Sequence, residues 1–418
     1  MSSIRIKNFG PIITGLSDQT NNGYIKIKKF TIFIGNQGTG KSSVTKLIST
    51  LSWLEKALYK GDIKESYVTR YSRFVKEYCN YQNLKNYFND NTEIQYKGKI
   101  YTFEYTNNKF EIHRNSFSNG STTSYKVPKI MYVPAERNFL SAVDYPDKLK
   151  GLPKSLSTFW EEMQRSLQEL SGSLDLPIGN AKLEYNKSNK ITRIVGQNYN
   201  LRLSEASSGY QSYVPLFLVS RNLAQSLDRE YDTSKSELSP ARRREIKEEI
   251  EKILNNPRLS RELKDSALEL LSDKDKNQVF LNVVEEIEQN LFPASQKQIL
   301  FKLIEFANVK KNNILILTTH SPYIINYLTL CIKGHTVLDK ITKSHKNEEL
   351  ESQLNKITPI KSLVAPNDSI IYEMDDNGSI KLLESYNGLP SDDNYLNEIL
   401  AEGNDLFTKL LELEDLCQ

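Results

Sequence analysis

The chain is poor in cysteine and has no long apolar run. Its three cysteines, Cys79, Cys331 and Cys417, lie far apart and in no metal-like spacing. That argues against a zinc site and a disulfide framework, and it suits a reducing cytoplasm. No apolar stretch approaches the roughly 18 residues that cross a bilayer. The start, Met1-Ser2-Ser3-Ile4-Arg5, lacks the apolar region of a signal peptide, so no membrane partner is expected. Charge of one sign is missing too: 55 Lys and Arg against 52 Asp and Glu leave a net charge of +3. No single-sign field dominates, although a local basic groove for nucleic acid stays compatible with that balance. There is no internal repeat and no low-complexity tract. At 418 residues the chain can bury a large core, usually as two or three lobes.

What is present is a glycine-rich loop in a telling context. Gly35-Asn36-Gln37-Gly38-Thr39-Gly40-Lys41-Ser42 follows the apolar run Phe30–Ile34 and opens a helical segment beginning Lys41-Ser42-Ser43. This is the G-x-x-x-x-G-K-S phosphate-binding pattern between strand and helix. Glycines let the backbone curl so that successive N–H groups point inward, and the helix N-terminus adds positive potential. Lys41 can reach the β- and γ-phosphates, and the Ser42 hydroxyl can ligate Mg²⁺. The sequence therefore predicts nucleoside triphosphate binding, with ATP and Mg²⁺ as the expected cofactors.

Periodicity organises the rest. Ile4–Lys7 and Tyr24–Ile27 alternate as strands, a helix is expected from Lys41 to about Leu58, and residues 92–114 read as a β-meander. Between them, residues 63–88 place aromatics at near-helical spacing beside Arg70, Arg73, Lys76 and Lys85. Two readings stand there, a core stripe with a solvated face or a nucleic-acid surface. Lys129–Val133 is a buried strand ended by Pro134, residues 153–170 form an amphipathic helix, and strands follow between Ala181 and Leu203. The small-residue turn Ser204–Gly209 leads into another helix. Residues 228–275 are densely and oppositely charged and read as a short helical hairpin. Val279–Val284 and Asn313–Thr318 are buried strands ending in polar residues. The tail holds a hairpin turning at Asp376-Asn377-Gly378 and a helix from Tyr395 to Leu413. Strands apolar on both faces and separated by helices indicate a covered parallel sheet, hence an α/β fold.

ATP hydrolysis needs a metal, a positioned water and charge neutralisation on the γ-phosphate. Glu285 and Glu286 sit at a strand end, where parallel sheets bind ligands; the other reading is an acidic helix start. His320, also at a strand end, can hydrogen-bond a γ-phosphate or be structural.

Together these residues resemble the ABC-like ATPases of the SMC/RecF/OLD group, with a match in motif order over most of the chain. Ile6-Lys7-Asn8-Phe9-Gly10-Pro11-Ile12 resembles their opening, and Gly35–Ser42 their Walker A. Ser207-Ser208-Gly209-Tyr210-Gln211 resembles the signature, Val283–Glu288 Walker B and Thr319–Pro322 the switch-histidine loop. Met131–Arg137, with Glu136 and Arg137, is similar to a strand-end element of the phage-defence branch and takes the place of a Q-loop without its Gln. Glu285 stands where Asp is commoner, Ile287 where Pro is usual, and Tyr210 where transporters carry a second Gly.

The resemblance implies an ABC-type P-loop fold with a mixed or parallel central sheet, an antiparallel β subdomain and a helical insertion. It implies catalytic roles for Lys41, Glu286 and His320 and metal ligation by Ser42 and Glu285. Ser207, Ser208, Gly209 and Gln211 would act in trans, on ATP held by another protomer. Five segments are expected: an ATPase lobe over 1–140, a helical and β lobe over 141–227 and the charged insertion 228–275, then a Walker B lobe over 276–335 and a closing segment 336–418. The expected protein is a slow, cytoplasmic ATPase that forms a homodimer or higher homo-oligomer through ATP. Its nearest likeness is to stand-alone phage-defence AAA ATPases, PtuA-like or AriA-like, which control a separate nuclease or toxin in response to a DNA or phage-protein trigger. The alternative is a RecF-like DNA-repair or maintenance ATPase.

Overall fold

A computed structural model of the chain describes residues 2–17, 21–116, 125–143, 146–227, 248, 250–256, 260–261, 263–264, 277–344 and 347–416. Most of the expected 228–275 hairpin lies outside the described residues.

The chain opens with β1 (Ser3–Lys7), the short β2 (Gly15–Leu16) and β3 (Ile25–Lys26), then β4 (Phe30–Gly35) and α1 (Lys41–Lys60). Broken helical turns follow, starting with α2 (Glu65–Thr69). Next come β5 (Glu93–Lys97), β6 (Tyr101–Thr106), β7 (Lys109–Arg114), β8 (Pro128–Val133), α3 (Arg137–Ala142) and α4 (Lys154–Gln168). Four short strands, β9 (Leu174–Asp175), β10 (Lys182–Asn186), β11 (Ile191–Val195) and β12 (Asn200–Arg202), precede α5 (Ser208–Gln225). The remainder is β13 (Val279–Val284), α6 (Pro293–Asn308), β14 (Ile314–Thr318), α7 (Pro322–Ile341), α8 (Asn347–Ile357), β15 (Ser369–Met374), β16 (Ser379–Leu382) and α9 (Tyr395–Leu416).

The central sheet has seven strands in the order β2-β16-β15-β4-β14-β13-β8. Its five strands from β15 to β8 run parallel, and β16 turns back antiparallel. A second sheet, β3-β1-β5-β6-β7, is antiparallel, as is a third, β12-β11-β10-β9. This is the expected α/β class with a mixed central sheet and an antiparallel β subdomain.

Strand alternation splits the interior in two. Phe30, Ile32, Ile34, Phe280 and Val284 face a core shared with α4, α5, α6 and α7. Phe33, Leu281, Val283 and Ile316 face the other, built from α1 and the meander. Covered on both sides, the parallel strands carry apolar residues at nearly every position.

Three local expectations change. Residues 63–88 do not form one helix: Tyr71 and Ser72 take left-handed backbone, and a π-helical stretch covers Phe74–Cys79. The turn delivers Phe74 into the core, where it stacks on Phe110 at 3.8 Å between centroids. Val68 and Leu84 are buried with it, while Tyr67 and Tyr71 stay exposed beside the Arg73 guanidinium. Of the apolar stripe, Phe74 and Leu84 are core, and Ile63, Tyr78 and Phe88 pack against it partly buried. The turn of small residues ends earlier than expected, because Ser208 and Gly209 already belong to α5. Helices α7 and α8 had no counterpart in the sequence reading.

Two-sided coverage has a direct consequence. Phe280→Ala and Leu281→Ala alter neighbouring residues that face opposite cores, and each is expected to cost about 2–5 kcal/mol in denaturant unfolding. A sheet packed on one face only would lose stability at one of the two positions.

Candidate functional site

The parallel strands end at one edge, and four of the loops that the sequence singled out leave from it. Gly35 pairs in register with Met374, Phe33 with Thr318, Leu317 with Val284, and Val284 with Val133. Beyond these residues lie the Gly35–Ser42 loop, Thr319-His320-Ser321, Glu285-Glu286 and Pro134–Arg137, in neighbouring order.

The glycine loop is built for close approach. Gly35, Gly38 and Gly40 have φ of 138°, 81° and 99°, backbone that side chains resist. A Cβ on Gly35 would lie 2.2 Å from the Met374 carbonyl oxygen. Thr39 Oγ1 donates to the Asn36 carbonyl, and Asn36 Oδ1 accepts the Gln37 N–H. Gly40 caps α1, whose first helical bond is Val44 N–H to Gly40 O. The N–H groups of Lys41, Ser42 and Ser43 therefore have no intrahelical acceptor, the usual condition of a helix start. The Ser43 side chain itself is buried. Lys41, 5% exposed, donates through Nζ to the carbonyls of Gly35 and Asn36 at 2.9 and 2.5 Å. Burial pushes its ammonium down to about 8, against the pull of Glu288, Glu286 and Asp376.

The acidic turn after β13 holds two carboxylates in different environments. Glu285 is 2% exposed, and its Oε1 accepts no hydrogen bond. Lys46 Nζ lies 3.9 Å from that oxygen. A buried carboxylate oxygen without a hydrogen bond is suited to a cation, and Ser42 supplies a hydroxyl at the start of α1, so these residues fit Mg²⁺. Mg²⁺ takes few protein ligands and completes its shell with phosphate and water.

Glu286 is part-exposed and has φ 44°, a conformation that costs a non-glycine residue about 1–3 kcal/mol. His320 Nε2 is 3.8 Å from its Oε1. His320 is the chief influence holding the Glu286 carboxyl below its ordinary range, with the charges of Arg137 and Lys41 adding to it. An ionised carboxylate beside an imidazole can accept a proton from water and pass it on.

Two residues outside the expected roles position this pair. Arg137, fully buried, donates Nη1 to the carbonyls of Glu285 (2.7 Å) and Pro134 (3.2 Å), Nη2 to that of Glu286 (2.7 Å) and Nε to that of Ser212 (3.2 Å). Burial lowers its guanidinium to about 10, so it stays charged at neutral pH. Arg137, expected as a Q-loop-like residue, turns all three of its nitrogens to backbone oxygens inside the fold. Its neighbour Glu136 is exposed. Glu288 grips the histidine loop, accepting the His320 N–H at 2.5 Å and the Thr319 hydroxyl at 2.8 Å. The run of three carboxylates between 285 and 288 was the only sequence signal for Glu288. Arg137 was singled out only through the likeness of Met131–Arg137 to a strand-end element, and no local pattern marked it as buried.

Ser207 and Ser208 are exposed at the start of α5. Gly209 lies against the turn after β13, where a Cβ would sit 3.2 Å from the Asn290 carbonyl oxygen. Gln211 is not directed outward: its amide donates to the carbonyls of Ser204 and Ala206, bracing the loop. Tyr210 bonds Tyr199 through the hydroxyls, and Ile287 is core.

No protein-family model matches the sequence, and neither does any curated protein. Solved structures similar to it include an SmcHead bound to the C-winged helix domain of ScpA, at 12% identity, 91% and 96% coverage of this chain and that chain, and TM-score 0.37. An SMC head domain from Thermotoga maritima is similar at 12% identity, 78% and 90% coverage and TM-score 0.31. An Smc head domain with an extended coiled coil bound to the C-terminal domain of ScpA, derived from Pyrococcus furiosus, is similar at 11% identity, with both chains covered in full and a TM-score of 0.36. Among the described residues, no helix is long and apolar enough to cross a membrane.

Two outcomes are expected. Phosphate binding favours charged Lys41, so affinity for ATP should fall as pH rises through about 8, approaching tenfold per pH unit. Titration calorimetry at neutral and alkaline pH reads this, and a flat profile contradicts it. Arg137→Met leaves buried carbonyls unpaired and should cost about 3 kcal/mol. It should also slow ATP turnover well beyond any change in ATP affinity, which steady-state kinetics against equilibrium binding will separate.

Proposed function

We propose that the chain is an ABC/SMC-like ATPase that binds Mg²⁺-ATP between two protomers and hydrolyses it as a conformational switch. The observation that carries this reading is the convergence of Lys41, Glu285, Glu286 and His320 at the ends of three adjacent parallel strands, β4, β13 and β14. Lys41 and the loop N–H groups hold the phosphates, Ser42 and Glu285 hold Mg²⁺, and the bound metal neutralises phosphate charge. Glu286 orients and deprotonates the attacking water, and His320 reads the γ-phosphate. Exposed Ser207 and Ser208, on the opening turn of α5, face the nucleotide of a second protomer.

On this reading the ATPase is the sensor or scaffold of an anti-phage system, and a separate nuclease or toxin carries the effector chemistry. Support comes from the segment after α7. Asp375-Asp376 follows the end of β15, where Asp376 accepts a bond from Asn36 in the glycine loop at 3.5 Å, and Asp392-Asp393 lies in the loop before α9. Among the described residues, neither pair gathers with a third metal-ligating side chain as a nuclease metal site requires.

The test is mass measurement with ATP. Glu286→Gln should slow hydrolysis by at least about 100-fold and accumulate an ATP-bound dimer, which Lys41→Ala abolishes. A monomer under both conditions sinks the composite site. Turnover that rises with duplex DNA, with steeply salt-dependent DNA affinity, would transfer the assignment to the RecF-like alternative.

A further inference from the structure

Helix α9 is the largest unexplained feature of the surface. Leu396 is buried at its root, yet every residue from Glu398 to Leu416 is exposed. Seven large apolar side chains on that stretch, Ile399, Leu400, Leu406, Phe407, Leu410, Leu413 and Leu416, are each at least half exposed. A contiguous apolar stripe of this size on a soluble surface marks an interaction site.

We propose that α9 is a dimerisation helix that packs against α9 of a second copy of this chain, parallel and in register. The spacing is heptad. With Leu396 at position a, Ile399, Leu406 and Leu413 fall at d, Gly403 and Leu410 at a, and Leu400 and Phe407 at the flanking e. Apolar a and d positions sustained in this way form the seam of a coiled coil.

Charge selects the occupant. Position g carries Lys409, and the e position that it meets across a parallel pair carries Glu414. Parallel alignment of two copies thus sets Lys409 against Glu414 of the second copy, twice by symmetry. The acids Glu398, Asp405 and Glu412 fall at position c and Asp415 at f, away from the seam, and Glu402 at g meets Phe407 at e across the pair, so no like-charged e–g contact opposes self-pairing. A Cβ added to Gly403 meets no atom within 4 Å, so that seam position is open.

The root of the helix fits the same partner. Tyr395 N–H donates to Glu373 Oε2 at 2.9 Å, and Glu373 pairs with Ile34, the residue before Gly35. The helix therefore leaves from the sheet edge that bears the glycine loop, the edge at which a nucleotide-bridged second copy would meet this one. The proposal goes beyond the nucleotide reading because the contact needs no ATP.

The experiment uses the full chain without nucleotide. Sedimentation at rising concentration should give a reversible monomer–dimer equilibrium, and Leu406→Asp with Leu410→Asp should leave a monomer that still binds ATP with unchanged affinity. In a Cys417→Ser background, Gly403→Cys should cross-link to itself on oxidation, as parallel register requires. Lys409→Glu should weaken the dimer about tenfold, and Lys409→Glu with Glu414→Lys should restore it. A wild-type chain that stays monomeric without nucleotide overturns the proposal, as does a dimer indifferent to the Leu406 and Leu410 changes. Failure of Gly403→Cys to cross-link within a real dimer overturns the parallel register. In the Leu406→Asp, Leu410→Asp chain, which cannot pair through α9, failure of Glu286→Gln to dimerise with ATP counts against the composite nucleotide site alone.

Discussion

The buried guanidinium of Arg137 bonds at once to the exits of β8 and β13 and to the first turns of α5, and the geometry of the acidic turn depends on it. Four backbone carbonyls converge on one cation. Glu286 sits at an unfavourable backbone angle because its carbonyl is held by Arg137 and its N–H by the Thr318 hydroxyl. Strain of that kind persists where the surroundings over-determine it. Here the result is a carboxylate turned toward His320 while its neighbour Glu285 stays inside.

Sheet register is the second constraint. Because β4, β13 and β14 run parallel and end level with one another, three loops distant in sequence meet without any long-range linker. Glu288 then couples two of them: one carboxylate takes both the His320 N–H and the Thr319 hydroxyl. A change in the acidic turn is thereby transmitted to the histidine loop through short, charge-assisted bonds. The opening turn of α5 is tied to the same turn through Ser212, which donates to Gln289 Oε1 at 3.0 Å. The glycine loop, the histidine loop and the exposed serines thus belong to one hydrogen-bonded edge.

Legibility followed the range of the interaction. The glycine loop was readable because its chemistry is local: three glycines, a lysine and a serine within eight residues, bounded by a strand and a helix. The meander, the paired buried strands and the Asp376-Asn377-Gly378 hairpin were readable from period-two patterning and turn residues. Residues 63–88 misled because their apolar spacing suits a helix, whereas packing Phe74 on Phe110 demanded a π-turn and two left-handed residues. Helix α7 escaped because an evenly apolar segment carries weak periodicity, and α8 because it is short, at 11 residues, and mostly polar.

The sequence by itself determined the phosphate-binding loop, the α/β class and the candidacy of Glu285, Glu286 and His320, since each rests on residue type and short spacing. Only the tertiary structure decided which carboxylate is buried and which meets the histidine. It alone turned Arg137 from a nucleotide contact into a structural clamp, and it alone left α9 bare. The physical reason is the same throughout: burial, desolvation and hydrogen bonds between segments 32 to 149 residues apart are set by packing, and local patterning does not encode them.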